Sequence, residues 1–251
     1  RASSMSRWKA AAIHLAISGS IGVVVAALLL LVWYPPPYFH AAGADELVLL
    51  LVGVDLVVGP LLTLILFRLG KPGLAFDLTV IALLQIGALV YGLSVVLRSR
   101  PVFLVGAVDR IALVSASDIA PTDLAQGSTP AYRSLSWNGP RLVGARMPDE
   151  PDARNELLFS AIEGRDIEVL PRYYVPYETI AAGLLARAKP VDAIRDAATR
   201  DAVERALGSI HATRAGVVWL PLVARKQDML MLLDSRSGRP LRAVAGDPWG
   251  S

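Results

Sequence analysis

Long apolar runs dominate the first hundred positions of this chain, broken only by single polar residues. They extend from about Ala10 to Tyr34, Leu47 to Phe67 and Leu74 to Leu97. A bilayer core of about 30 Å takes about 20 helical residues, so each run predicts a transmembrane helix. The first is too long for a signal-peptide core and no small-residue cleavage site follows it, so it is expected to remain as a span. After Arg98 the pattern changes to short alternating segments. VFLVGAVDRIALVS (102–115) predicts two strands that turn near Asp109-Arg110. A short helix is expected at Ser117–Gln126, then a Gly/Ser/Pro loop to about Pro140, a strand at LVGARM, and a helix at Asp152–Ile162 capped by Asp152. RYYVPYE reads as extended, because Pro176 steers Val175 away from helix. Tyr177–Ala188 and Val191–Leu207 read as amphipathic helices split by Pro190, and GVVWLPLVARK, DMLMLLDS and LRAVA as closing strands around an SRSGRP turn. The expected architecture is a membrane protein: a bundle of three transmembrane α-helices over residues 5–97, then a periplasmic α+β domain over 98–251. The leading RASS (1–4), before Met5, reads as an appended remnant.

Charge orients these spans. Arg7 and Lys9 precede the first, Arg68 and Lys71 lie between the second and third, and the loop from Pro35 to Glu46 has neither Lys nor Arg. The positive-inside rule places the N-terminus in the cytoplasm and the first loop outside. Three spans then carry the C-terminal domain out of the cytoplasm. Arg98 and Arg100 run against this, but a long following domain translocates largely regardless of charge. Trp8 marks the inner interface, and Trp33, Tyr34, Tyr38 and Phe39 an outer aromatic belt. WYPPPYFH between the first two spans is stiff; it serves either as a helix stop with interfacial anchors or as a partner contact.

Few polar residues interrupt the spans. Asp55 lies roughly 13 Å of helix rise from Glu46, near the midplane, where a charge costs about 2.5–3.5 kcal/mol on insertion scales. Gly59 follows one turn later, and Pro60 frees the Leu56 carbonyl and predicts a kink. His14, Ser18, Gly22 and Ala26 make one small and polar stripe on the first span; Ala82, Gln85, Ala88 and Gly92 make another on the third. Counted from the helix ends, Ser18, Asp55 and Gln85 fall at one depth. They read as a hydrogen-bonded cluster at the bundle centre, or Asp55 reads as a group that binds a partner helix or a proton. His14 and Asp77 lie nearer the cytoplasmic leaflet, where Asp77 serves as a helix cap or as a contact.

Composition adds exclusions. The chain is 54% hydrophobic, with a mean hydropathy of +0.48. Beyond residue 97, 20 Lys/Arg face 18 Asp/Glu without a basic patch interleaved with aromatics, which argues against nucleic acid as a partner. There is no cysteine, and His14, His40 and His211 are too far apart for a metal-ligand spacing. No nucleotide loop or nucleophile elbow occurs, so no catalytic residue, metal or cofactor is expected. Tyr173, Tyr174 and Tyr177 form either part of the domain core or a recognition patch.

RWKAAAIHLAIS, VWYPPPYFHAAGADEL, GVDLVVGPLLTLILF, LAFDLTVIALLQIGALVYG and RPVFLVGAVDRIALVSASD together resemble the type IV pilin accessory proteins, the TfpX/TfpZ group of bacterial inner-membrane proteins. The resemblance is strong over residues 6–118 and persists later in the SGRPL turn and the terminal PW. It implies a non-catalytic, chaperone-like helper that keeps pilin subunits stable or ready for pilus assembly, with the pilin subunit, the lipid bilayer and a homo- or hetero-oligomer with pilus assembly components as expected partners. It carries over no functional residue. A pilin awaiting assembly is a membrane-inserted helix bearing a head outside, with a glutamate and a free amine near the helix N-terminus. Two other classes fit the bare pattern: a small oligomeric transporter using Asp55, and a membrane-anchored periplasmic sensor, although the cytoplasmic segments are too short to fold into an output domain.

Overall fold

The computed structural model describes residues 6–67 and 72–249, with backbone alone for Leu50, Leu51, Val54 and Asp55. Arg68 and Lys71, used above for orientation, lie outside the described residues. The chain forms two compact units, one of residues 1–32 and 44–98, the other of residues 33–43 and 99–251.

The first unit is helical. Helix α1 (Arg7–Leu28) starts where the Ser6 hydroxyl accepts a hydrogen bond from the Lys9 N–H at 3.2 Å. It runs on as a π-helical turn to Trp33 and ends before the three prolines. Helix α2 (Tyr38–Ala41) is a single turn of the second unit. Helix α3 (Ala44–Leu66) carries Pro60 inside it, and helix α4 (Leu74–Ser99) follows. Among the described residues two segments, Arg7–Trp33 and Leu74–Ser99, are long and apolar enough to cross a membrane, where three were expected; the apolar stretch found in α3, Leu56–Leu66, is shorter. Outward positions on α1 and α4 are themselves apolar, as at Val23, Leu31, Leu83 and Leu84. Water would disfavour such a surface and lipid would not. Helices α1 and α3 pack along their length, with Gly22 close enough to Val52 that an added Cβ would sit 3.3 Å from Val52 Cγ1.

The second unit is built on one mixed sheet. Its strands are β1 (Pro101–Ala107), β2 (Arg110–Ser115), β3 (Arg141–Ala145), β4 (Tyr174–Val175), β5 (Lys189–Pro190), β6 (Val217–Val223), β7 (Met229–Asp234) and β8 (Pro240–Ala245). The order is β4-β3-β1-β2-β6-β7-β8, with β5 also on β6; β1 runs parallel to β3 and β2 parallel to β6, and the other pairs are antiparallel. The helices are α5 (Pro121–Ala125), α6 (Pro151–Ile162), α7 (Ala181–Leu185) and α8 (Ala197–Ser209).

Strand alternation assigns the faces. Phe103, Val105 and Val143 gather with Leu157 of α6 in one cluster, and Trp219, Leu230 and Leu232 gather with Val203 and Leu207 of α8 in a second. On the opposite face Gly106 and Gly144 lie under Ile180 and Leu184; a Cβ at Gly144 would stand 2.4 Å from Ile180 Cγ1. Tyr177 crosses from this segment to donate its hydroxyl to the Gly238 carbonyl at 2.8 Å, pinning the β7–β8 turn.

Several local expectations are corrected. The helix expected at 177–188 is a 3₁₀ turn followed by α7, and the one expected at 191–207 begins only at Ala197. Two contacts explain the late start. Pro190 is drawn into strand pairing with Val218, and its carbonyl accepts from Trp219 Nε1 at 3.1 Å. Asp196 then caps α8 by accepting the Thr199 N–H at 2.6 Å. RYYVPYE is extended only at Tyr174–Val175, between 3₁₀ turns. In α6 the cap position is Glu150, and Asp152 lies in the first turn, because Pro151 suits the first helical position.

The WYPPPYFH loop is more than a helix stop. It folds onto the C-terminal domain: Tyr34 is fully buried, the Lys226 N–H donates to the Ala41 carbonyl at 3.0 Å, and Pro35 packs over Gly139. Prolines lack a backbone donor, so this segment is fastened by its side chains and by carbonyls further along. Burial pushes the Tyr34 phenol up, against the opposing pull of Arg100 and Arg225.

Candidate functional site

In the helical unit α1, α3 and α4 surround a groove of about 470 Å³. Its walls are apolar, formed by residues such as Ile17, Ile21, Leu78 and Ile86, while His14, Ser18, Thr63 and Gln85 bring polar groups into it. These polar groups converge where α3 has no side chain. At Gly59 a Cβ would stand 2.0 Å from Gln85 Nε2 and 2.8 Å from His14 Nε2, so both side chains reach the α3 backbone through that gap. His14 Nδ1 and Thr63 Oγ1 share a hydrogen bond of 2.7 Å, and Thr63 is 3% exposed. The arrangement has an apolar slot with hydrogen-bonding capacity at one level, which suits a helix that carries a polar or charged group at one point along its length.

This grouping differs from the one read from helix ends. Ser18 and Gln85 both line the groove; the side chain of Asp55, expected between them, lies outside the described residues. Gln85 meets His14 at Gly59, a full turn before Ser18 on α1. Asp77, expected beside His14, is separated from Gln85 by about 12 Å of α4 rise. The structure therefore brings together His14, Gln85 and Thr63 around Gly59 and leaves Asp77 near the start of α4. Thr63 carried a sequence signal of its own, a hydroxyl one turn after Gly59, but its partner on another helix had none. Pro60 lies inside a continuous α3.

In the C-terminal domain the three tyrosines separate. Tyr174 is 1% exposed, edge-on to Phe103 at 5.2 Å, with its hydroxyl bonded to the Glu168 carbonyl. Tyr177 is 4% exposed, and burial, with Glu178 adding to it, pushes its phenol up to about 12. Tyr173 is half-buried beneath the Arg172 guanidinium, 4.9 Å from the ring centroid. Two of the three are core residues rather than a surface patch. The exposed apolar row is instead on α6, where Leu157 faces the core and Leu158, Phe159 and Ile162 face outward. The sequence signal for it was present: apolar residues in ELLFSAI cover more than one helix face.

Glu168 is a carboxyl of this domain opposed by its setting. Burial, with neighbouring Asp166 and Asp109, raises its carboxyl above the ordinary range, while a backbone N–H and Arg110, at 4.0 Å, hold it down. Among the described residues no three His, Asp or Glu side chains come together as a metal ion would require.

The profile of a family described as fimbrial assembly protein FimB matches residues 2–43. The chain is similar to the fimbrial assembly proteins of serogroups I and E1 of Dichelobacter nodosus, at 31% and 30% identity over 232 residues, covering 90% of this chain and 90% of each relative. It is also similar to the protein of serogroups C1 and C2 of the same organism, at 35% identity over 120 residues, 47% of this chain and 92% of that one. No solved structure matches the chain.

Proposed function

The chain belongs to the family of fimbrial assembly proteins, and from that premise we propose that it serves pilus assembly as a non-catalytic inner-membrane helper that holds the pilin helix in the groove of its helical unit. The observation that carries this reading is the groove itself. It has apolar walls, and His14, Thr63 and Gln85 meet at one level around Gly59.

In this reading α1, α3 and α4 all span the membrane, the N-terminus is cytoplasmic and the C-terminal domain periplasmic. His14 is about 10 Å of rise from Arg7, close to the cytoplasmic surface. The glutamate and amine near a pilin helix N-terminus would enter at that level. The pilin carboxylate accepts from the Gln85 amide or the His14 ring, and the amine lies toward Asp77 at the start of α4. A buried charge is tolerated only when paired and hydrogen-bonded, so the groove favours a helix that carries these groups and rejects one that lacks them. The outward row Leu158, Phe159 and Ile162 on α6 offers the pilin head a second contact, and two contacts to one partner add through effective concentration.

Co-purification of co-expressed pilin in mild detergent tests the assignment. Gln85→Leu leaves the helices apolar and is expected to reduce recovered pilin several-fold. Leu84→Gln, on the opposite side of α4, is expected to leave recovery unchanged. Equal recovery by both variants would contradict the groove as the pilin site.

A further inference from the structure

The helical run Arg7–Trp33 ends at Trp33, and Leu74–Ser99 ends one residue before Arg100. If both segments span, as in the reading above, these two ends mark the outer membrane interface. A single loop of the C-terminal domain, residues 134–140, is fastened to both of them. Trp137 of that loop stands 6.4 Å from the Trp33 ring, and the Arg100 guanidinium lies 4.9 Å over Trp137. Arg100 Nε also donates to the Ser136 carbonyl at 3.2 Å, and Pro35 packs on Gly139.

Yet Trp137 itself remains 61% exposed, and among the described residues no acceptor meets its indole N–H. Trp249 makes the contrast. It is 59% exposed, but its Nε1 donates to Asp228 Oδ2 at 2.7 Å. Of the four residues expected to form the outer belt, Trp33 and Tyr34 are buried and Tyr38 and Phe39 are half-buried, so none is as open as Trp137. A large apolar ring with an unspent donor, held at the level where two spans end, matches the preference of tryptophan for the headgroup region.

We propose that residues 134–140 form a membrane-surface anchor, with the Trp137 indole seated among the lipid headgroups and Arg100 stacked behind it. The anchor fixes the C-terminal domain at the bilayer by a contact separate from its covalent link to α4. This inference rests on the spanning reading of Arg7–Trp33 and Leu74–Ser99, and its test separates the two.

The chain has no cysteine, so single cysteines report cleanly. Nitroxide labels are placed at Leu31 on the outer part of the first span, Asn138 beside Trp137, and Arg236 in the β7–β8 turn. The full chain is reconstituted in bilayer discs of phosphatidylethanolamine and phosphatidylglycerol, and collision with oxygen and with a water-soluble nickel complex is measured. The expected result is Leu31 shielded from nickel, Arg236 open to it, and Asn138 several-fold less accessible than Arg236. Adding Trp137→Ser should bring Asn138 to the level of Arg236. Asn138 as open as Arg236 in the unsubstituted background, with Leu31 still shielded, would overturn the anchor and leave the spans standing. Nickel reaching Leu31 would overturn both. Shielding at Asn138 that survives Trp137→Ser would overturn the role given to the indole.

Discussion

Gly59 organises the groove by what it lacks. Any side chain there would occupy the space in which the Gln85 amide and the His14 ring approach α3. Gly53, two turns away on the same helix, has no neighbouring atom within 4 Å of an added Cβ. Alanine in a helix interior is favoured over glycine by roughly 0.5–1 kcal/mol. Gly53→Ala is therefore expected to raise the thermal midpoint in detergent, whereas Gly59→Ala should gain nothing and should lower pilin recovery, because the new methyl displaces Gln85. Equal stabilisation and undiminished recovery with both would remove the special role of Gly59. In the C-terminal domain Glu168 makes a pH-dependent contribution of a defined sign. Its carboxyl is raised above the unfolded value, so its favourable contribution is complete below that value and lost as pH rises through the folded one. Glu168→Gln should accordingly stabilise the protein at pH 7, with an advantage that shrinks as pH falls through the raised folded value and is gone below the ordinary glutamate range, about 4.3–4.5. Thermal unfolding of both forms across pH measures this; a constant difference at all pH values would show that burial of the charge is not its cause.

At the scale of elements, the sequence was most readable where one period ran undisturbed. The apolar runs gave the long helices nearly to their ends, and alternation gave β1, β2, β6, β7 and β8. It was least readable where a tertiary contact overrode local preference. The amphipathic pattern at 191–207 suggested one helix, but pairing of Pro190 with β6 and the Asp196 cap postpone the helix to Ala197. Tyr174 and Tyr177 could not be assigned to core or surface, because an irregular segment has no periodicity to give their direction. The polar cluster of the groove was half legible. Its residues stood out as polar positions in apolar helices, but counting from the ends set Gln85 beside Ser18, whereas its side chain meets His14 at Gly59. The 177–185 segment offers an element-scale test. It lies on the sheet only because Gly106 and Gly144 have no side chains, and a methyl at Gly144 would meet Ile180 Cγ1 at 2.4 Å. Overpacking of this kind costs typically 1–3 kcal/mol, so Gly144→Ala should lower the unfolding midpoint, and Gly144→Ala combined with Ile180→Val should recover part of the loss. No recovery in the double variant would place the strain elsewhere.

For the whole molecule, membership of the fimbrial assembly family and a helical unit with an apolar, locally polar groove bear on one account: a membrane helper that shelters the pilin helix before assembly. The account is specific about which side of α4 faces that helix. Ile86 lines the groove, and Leu84, equally apolar and 66% exposed, points away from it. A photo-crosslinking amino acid at each position, in cells that express pilin, tests the central claim most directly. The account predicts a crosslink to the pilin helix from position 86 and none from position 84. Crosslinking from 84 with none from 86 would contradict it.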